Sequence, residues 1–303
     1  MKKKITPQIF TLLALCLIHS HAGAQLKKEL AGIDYVFIGQ GKTTNNDPIS
    51  FSKWEFRFSI PKRMKKKGSF LMNSFKYARL KIGYGEHLSI MNTELENFHS
   101  ISYSLGYSMP LNRGWRFTAI LSPQISSNFE GNFNLESINL FGIALLTKPL
   151  GTSKRFILTL GAMYSATTGI PAPLPFASLL WRATPKLRIN IGFPRINITY
   201  QLSKGSSLGT NLIITGENLT LGKDLNYKTD QSINTSTDIN NIRISNMAMG
   251  LFYRQKIWKM AHFNINAGHT FRRIYEFREN NTSKKNFNLS DNVYLKAGFS
   301  LGL

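Results

Sequence analysis

The sequence predicts an all-β protein, an antiparallel transmembrane β-barrel of 14 strands, and three observations lead to this prediction. Many segments of about ten residues alternate between apolar and polar side chains, as barrel strands do. Long polar loops alternate along the chain with short turns, which is the arrangement of bacterial outer-membrane barrels. No stretch beyond the N-terminal region approaches the roughly 20 apolar residues of a membrane helix.

The N-terminal residues predict a cleaved signal peptide. Three lysines precede an apolar run from Ile9 to Ile18, and small residues up to Ala24 suit a signal peptidase. The run is too short to span a bilayer. We therefore expect residues 1–24 to be removed and residues 25–303 to form a single barrel domain. The sole cysteine, Cys16, would leave with the peptide, so the mature chain has no disulfide framework or cysteine-based metal site.

The segment from 100 to 121 shows the alternation most clearly. Its apolar residues point one way and its serines the other, because successive strand side chains face opposite sides. The apolar set is Ile101, Tyr103, Leu105, Tyr107 and Met109, and after a turn Trp115, Phe117, Ala119 and Leu121. Such a face packs against a second sheet in a sandwich or against lipid in a barrel. The length and number of the alternating segments favour the barrel.

The strand count depends on Pro194. If Gly192-Phe193-Pro194-Arg195 is an outer turn, long loops and short turns alternate in order and the count is 14. If Pro194 only kinks one strand, the count becomes odd, whereas bacterial barrels have even numbers. A barrel of 12 strands that lacks two weak segments is the alternative.

Two parts of the chain resemble known proteins. The last strand, "NVYLKAGFSLGL", alternates to Leu303 and is similar to the terminal strand of bacterial outer-membrane barrels, which implies recognition by the barrel-assembly machinery. The section from 173 to 212, with its "TPK" and "GFPR" turns, resembles uncharacterised outer-membrane barrels of Bacteroidota that are grouped as a domain of unknown function. The resemblance implies the outer membrane of a Gram-negative bacterium and contact with its lipid and lipopolysaccharide, but it supplies no substrate.

A search for catalytic or metal-binding residues finds no motif. The histidines of the mature chain have no metal-ligand spacing, and only an outer-loop cluster of His87 with Asp230 and Asp238 stays open as a catalytic arrangement. We therefore expect no enzyme, no cofactor, no metal and no nucleic-acid partner.

The positive charge of the chain predicts a basic lumen. The formal net charge is +22, and several basic residues fall on strand faces opposite the apolar residues. The predicted lumen-lining set is Lys53, Arg57, Arg79, Lys81, Arg116, Arg188, Arg195 and Lys296. A positive lumen within a low-dielectric wall attracts anions. The expected function is a passive pore or small-solute channel with a basic lumen that passes anionic small solutes. The alternative is a structural or interaction barrel with a filled lumen and ligand-contacting outer loops.

Overall fold

The computed structural model describes residues 29–43, 47–85, 95–131, 137–165, 170–230, 233–280 and 282–302. The signal peptide at 1–24 and His87 lie outside these ranges, so the expectations about them stay predictions. Within the described ranges there is no helix that is both long and apolar enough to cross a membrane.

The described chain forms fifteen β-strands. They are β1 (Glu29–Lys42), β2 (Pro48–Arg63), β3 (Phe70–Tyr84), β4 (Asn97–Pro110), β5 (Arg116–Ser127), β6 (Ile138–Leu150), β7 (Phe156–Ser165), β8 (Ile170–Arg182), β9 (Leu187–Phe193), β10 (Arg195–Gln201), β11 (Ser206–Asp230), β12 (Ile233–Lys256), β13 (Ala261–Glu279), β14 (Thr282–Leu289) and β15 (Asn292–Gly302).

These strands close into an antiparallel barrel of 14 strands. Consecutive strands pair from β1 to β13, and β15 pairs with both β13 and β1, which closes the ring. Strands β14 and β15 both pair with β13 and act as one barrel strand that is interrupted at Ser290 and Asp291. Pro194 forms the turn between β9 and β10 after a cis peptide bond with Phe193. The predicted fold class and the count of 14 are confirmed.

The apolar strand faces point out of the barrel. On β4, Ile101, Tyr103 and Leu105 are 40–48% exposed, whereas Ser102 and Ser108 on the other face are 3% and 0% exposed. The same pattern recurs around the ring, with exposed apolar side chains on almost every strand. A closed barrel with an apolar exterior and small polar side chains inside matches a lipid-facing wall.

The two ends of the barrel differ. Short turns join strands at one end, which we call the short-turn end and which is periplasmic in bacterial barrels. At the other, the loop end, β11 and β12 form a hairpin of 25 and 24 residues per strand, the longest in the described chain. The register of β11 with β10 ends at Ile213, and Thr220 of β11 then pairs in parallel with Ser127 of β5. The hairpin therefore crosses the interior of the barrel.

An apolar core fills the outer half of the lumen where this hairpin crosses. It consists of Ile49, Phe51, Leu80, Ile82, Leu95, Phe98, Leu219, Leu221, Ile239, Ile242, Ile244, Tyr275, Phe277 and Leu289. These residues come from β2, β3 and the start of β4, with Leu95 just before it, and from β11 to β14 on the other side. We call this group of residues the cap. Burial of such side chains contributes about 1.5–3 kcal/mol each, so the cap holds the hairpin inside the wall.

Candidate functional site

A cluster of charged side chains lies in the lumen, centred on Arg57 of β2. Its Nη1 contacts Asp34 Oδ2 at 2.5 Å and Glu55 Oε1 at 2.7 Å, and its Nη2 contacts Glu29 Oε1 at 2.7 Å. The register pairs Asp34 of β1 with Glu55 of β2 and brings these carboxylates to one face. One guanidinium, which has five donors in a fixed plane, thus joins three carboxylates on two neighbouring strands.

Two lysines extend this cluster to other strands. Lys53 Nζ lies 2.8 Å from Glu217 Oε1 on β11 and 3.4 Å from Glu55 Oε2. Lys296 Nζ of β15 lies 2.9 Å from Asp34 Oδ2. The ion pairs therefore link the wall strands β15, β1 and β2 to the hairpin that crosses the lumen.

Carboxylates offset the predicted basic residues in this part of the lumen. Lys53, Arg57 and Lys296 each contact at least one of Glu29, Asp34, Glu55 and Glu217. Because opposite charges at such distances cancel each other's long-range field, these three cations supply little net positive potential to the middle of the lumen.

Arg79 and Lys81 lie on the opposite face from the one predicted. Their side chains are exposed, and the register pairs Arg79 with the outward Trp54. The inward positions of β3 here are Leu80 and Ile82, which pack into the cap. The apolar face of this strand segment points inward because the outer lumen is filled with apolar side chains, and the charged face therefore points outward.

Three predicted arginines lie on lumen-facing positions away from the cluster. Arg116 Nη1 donates to Ser108 Oγ at 3.2 Å and to the Gly68 carbonyl at 3.1 Å, at the short-turn end. Arg188 Nη2 donates to Gln201 Oε1 at 3.4 Å, also near that end. Arg195 is exposed at the tip of the β9–β10 hairpin.

Sequence reasoning missed several charged lumen residues. Lys76 pairs in register with Arg57 and shares its inward face, and Glu217 contacts Lys53 from a strand 164 positions away. Arg273, which is 1% exposed, donates from Nη1 to the Ser290 carbonyl at 3.0 Å, beside the break between β14 and β15. The inward face of Lys76 follows from strand alternation once the facing of β3 is known. No local signal indicates the contact of Glu217.

Paired hydroxyl groups line β4 and β5 below the cap. Ser100 and Ser126 lie 2.6 Å apart, Ser104 and Ser122 also 2.6 Å, and Ser108 and Thr118 3.0 Å. Cross-strand hydroxyl pairs satisfy each other's hydrogen bonds and occupy little volume. This part of the interior is polar and made of small side chains.

The described residues hold no group of three histidine, cysteine, aspartate or glutamate side chains that could bind a metal ion. The catalytic cluster of His87, Asp230 and Asp238 that the sequence left open stays a prediction. Asp238 is exposed on β12, whereas His87 and the Asp230 side chain lie outside the described residues.

Comparisons with known proteins name no activity. A family model described as a domain of unknown function (DUF6268) matches residues 34–302. No curated protein matches the chain.

Three similar solved structures are remote in sequence. The KdgM porin in complex with disordered oligogalacturonate is 10% identical, with 90% of this chain and 99% of that chain covered and a TM-score of 0.38. The TodX monoaromatic hydrocarbon channel deltaS2 mutant is 8% identical, with 92% and 91% covered and a TM-score of 0.41. LpxR from Salmonella typhimurium is 9% identical, with 90% and 100% covered and a TM-score of 0.40. None of these similarities indicates a ligand.

Proposed function

Because the chain belongs to the DUF6268 family, a domain of unknown function, we propose its role from the lumen alone: it is an outer-membrane channel for small solutes that the cap closes at the loop end. The observation that carries this proposal is the change in lumen character along the axis. The loop end is apolar and buried, whereas the interior of β4 and β5 below it is lined by small hydroxyl side chains. Small side chains leave more of the lumen volume unfilled than large ones would, which a solute path requires.

Anion preference forms the second part of the proposal, and it is assigned to the short-turn end. The cations of the central cluster have carboxylate partners, but Arg116 and Arg188 contact only neutral oxygen atoms among the described residues. Because no carboxylate neutralises them, these two arginines attract anions to the short-turn end of the channel, which we call the inner mouth. The passing solutes are therefore proposed to be small and anionic.

The outward Arg79 and Lys81 have a different proposed role. They lie toward the loop end of β3, where the barrel meets the outer leaflet. Phosphate groups of lipopolysaccharide are the chemical partners that exposed cations at this level fit. A further proposed partner is the barrel-assembly machinery, which would bind β15 during insertion.

A structural barrel with a filled lumen is the second candidate, and the apolar cap favours it. Single-channel recording in planar bilayers separates the two. The recording compares the wild-type protein with a variant in which residues 219–242 are replaced by Asn-Gly, a pair that suits a tight hairpin turn. We expect rare openings from the wild type and a steady conductance from the variant. If the variant assembles with normal heat-modifiable mobility and both proteins are silent, the lumen is filled and the channel proposal is wrong.

A further inference from the structure

Strands β9 and β10 are too short to cross a membrane. Each has seven residues, whereas a transmembrane strand needs about 9–11. Seven residues rise about 23 Å along a strand and about 18 Å along the axis of a barrel whose strands tilt by about 40°. The turn at Pro194 therefore lies within the apolar band of about 25 Å, and the wall above it lacks this hairpin.

The neighbouring edge of β8 is unpaired above the hairpin. Its register with β9 ends at Ala177, opposite Phe193, although β8 itself begins at Ile170. The Arg182 N–H donates to the Arg155 carbonyl at 2.8 Å, so the even-numbered residues of β8 direct their backbone groups toward β7. The odd-numbered residues face the other side, because backbone groups alternate along a strand.

Two prolines occupy this unpaired edge. Pro173 and Pro175 are odd-numbered residues of β8 above Ala177, and each lacks the N–H that would point away from β7. Prolines in sheets are confined to edges where no donor is needed, and they prevent pairing with another strand. The prolines thus prevent another strand from pairing with this edge of β8.

A second unpaired edge of the wall begins where β11 separates from β10. Its register with β10 ends at Ile213, Asn218 Nδ2 donates to Asn139 Oδ1 of β6 at 2.8 Å, and Thr220 then pairs with Ser127. In the described chain β8 and β11 do not pair. The backbone ladder of the wall is therefore interrupted between them above the β9–β10 turn, and we call this interruption the side opening.

The wall inside this opening is apolar. Cross-strand pairs on the inward face join Ile143 to Met163 and Met163 to Leu174, and Phe141 and Phe176 lie on the same face. All five side chains are only partly buried. This surface contrasts with the hydroxyl-lined β4 and β5, and it matches the chemistry of a hydrocarbon chain.

A cation lies at the lower rim of the opening. Arg195 is the first residue of β10, and its side chain is exposed. Its backbone pairs in register with Ile213, but its guanidinium makes no hydrogen bond or ion pair with another described residue. An ionisable side chain at membrane depth is costly and marks a functional position in the first instance. Its guanidinium is suited to bidentate binding of a carboxylate.

We infer that this side opening binds a single-chain anionic amphiphile, with the carboxylate on Arg195 and the alkyl chain against the wall formed by Ile143, Met163, Leu174 and Phe176. The ligand enters from the bilayer between β8 and β11. This site goes beyond the proposed ion path, and its occupation does not depend on conduction through the inner mouth.

Binding of dodecanoate tests the site. The protein in phosphatidylcholine nanodiscs is titrated with dodecanoate and with dodecanol, and ligands that stay bound are counted by native mass spectrometry against empty nanodiscs. Arg195→Gln should weaken dodecanoate binding by about tenfold or more, since it removes a charge-assisted hydrogen bond, and should leave dodecanol unchanged. Arg182→Gln, at an inward position near the short-turn end of β8, is the control and should bind both ligands like the wild type.

A second pair of variants tests the apolar wall. Leu174→Trp adds bulk inside the opening and should reduce binding of both ligands, whereas Leu179→Trp adds the same bulk on the outer face of β8 and should not. Equal dodecanoate retention by all four variants, or retention no greater than in empty nanodiscs, shows partition into lipid only and overturns the inference. Failure of the conductance experiment leaves these binding results unaffected, so the two proposals fail separately.

Discussion

Lys53 Nζ on β2 lies 2.8 Å from Glu217 Oε1 on β11, and this ion pair joins the barrel wall to the hairpin that crosses the lumen. The two side chains are 23% and 25% exposed, so water partly screens the pair. Glu55, at 3.4 Å, remains as a partner of Lys53 if Glu217 is removed. The pair therefore acts as a weak tether of the hairpin, in addition to the stronger packing of the cap.

The first prediction concerns this tether. Glu217→Gln removes one partly exposed ion pair, which is worth about 0.5–1 kcal/mol, and should raise the open probability about two- to fivefold in single-channel recordings. Glu279→Gln is the control, because the Glu279–Lys284 pair at 2.7 Å lies within the β13–β14 hairpin and does not cross the lumen. Equal open probabilities for both variants and the wild type would show that the pair does not restrain the hairpin.

The second prediction concerns the cap. Leu219 is 1% exposed within it, and a buried Leu→Ala change costs about 2–5 kcal/mol. Because the wall is held by separate backbone ladders, Leu219→Ala should loosen the hairpin without lowering the temperature of barrel unfolding. Hydrogen exchange of the hairpin amides should therefore increase, while that of β3 to β7 stays unchanged. Leu208→Ala, on the same strand but 43% exposed, should change neither the hydrogen exchange of the hairpin nor the unfolding temperature.

The structure also shows where alternation predicts facing and where it does not. On β4 the serine face points inward as predicted, because small polar side chains line that part of the lumen. On β3 the same rule places Arg79 and Lys81 on the wrong side, since the cap makes the outer lumen as apolar as the lipid. A period-two pattern identifies two faces but cannot state which one meets lipid when both surroundings are apolar.

Two further features depend on the whole chain. The register of β12 with β13 shifts between Ser245 and Met247, where β13 carries the extra residue. Arg272, within this bulge, has a φ of 49°, and the next residue, Arg273, lies in the interior. The ion pair of Lys53 with Glu217 joins residues 164 positions apart. Local patterns carry no information on either. The turn at Pro194, in contrast, follows from the alternation of long loops and short turns, a property of the sequence alone.

The third prediction concerns ion selectivity. Arg116→Gln combined with Arg188→Gln removes two lumen cations whose hydrogen-bond partners among the described residues are neutral. The double variant should lose anion preference, so its reversal potential in a salt gradient should move toward zero. Arg79→Gln should not change it, because Arg79 lies on the outer face. A cation preference of the wild-type channel would contradict the assignment of a basic inner mouth.

The fourth prediction concerns the lipid-facing wall. Leu295 lies in the middle of β15 and is 40% exposed on the outer face, so Leu295→Arg places a charge in the apolar band at a cost of about 2–4 kcal/mol. The yield of folded, heat-modifiable barrel should fall. Asn197→Arg, at an inward position of β10, should fold normally. Normal assembly of Leu295→Arg would contradict the lipid-facing assignment of β15.

The last prediction measures the room inside the barrel at a glycine. A Cβ added to Gly106 of β4 would lie 3.6 Å from Ile120 Cγ1 and from Met72 Cβ, which are ordinary contact distances, so a larger side chain can extend into the lumen. Gly106→Leu should therefore assemble normally and reduce the conductance of the variant that lacks residues 219–242. At Gly161 of β7, a Cβ would collide with the carbonyl oxygen of Ala144, so Gly161→Leu should fail to assemble. If Gly106→Leu unfolds as readily as Gly161→Leu, the lumen beside β4 is packed, and the filled-lumen alternative is favoured over the channel.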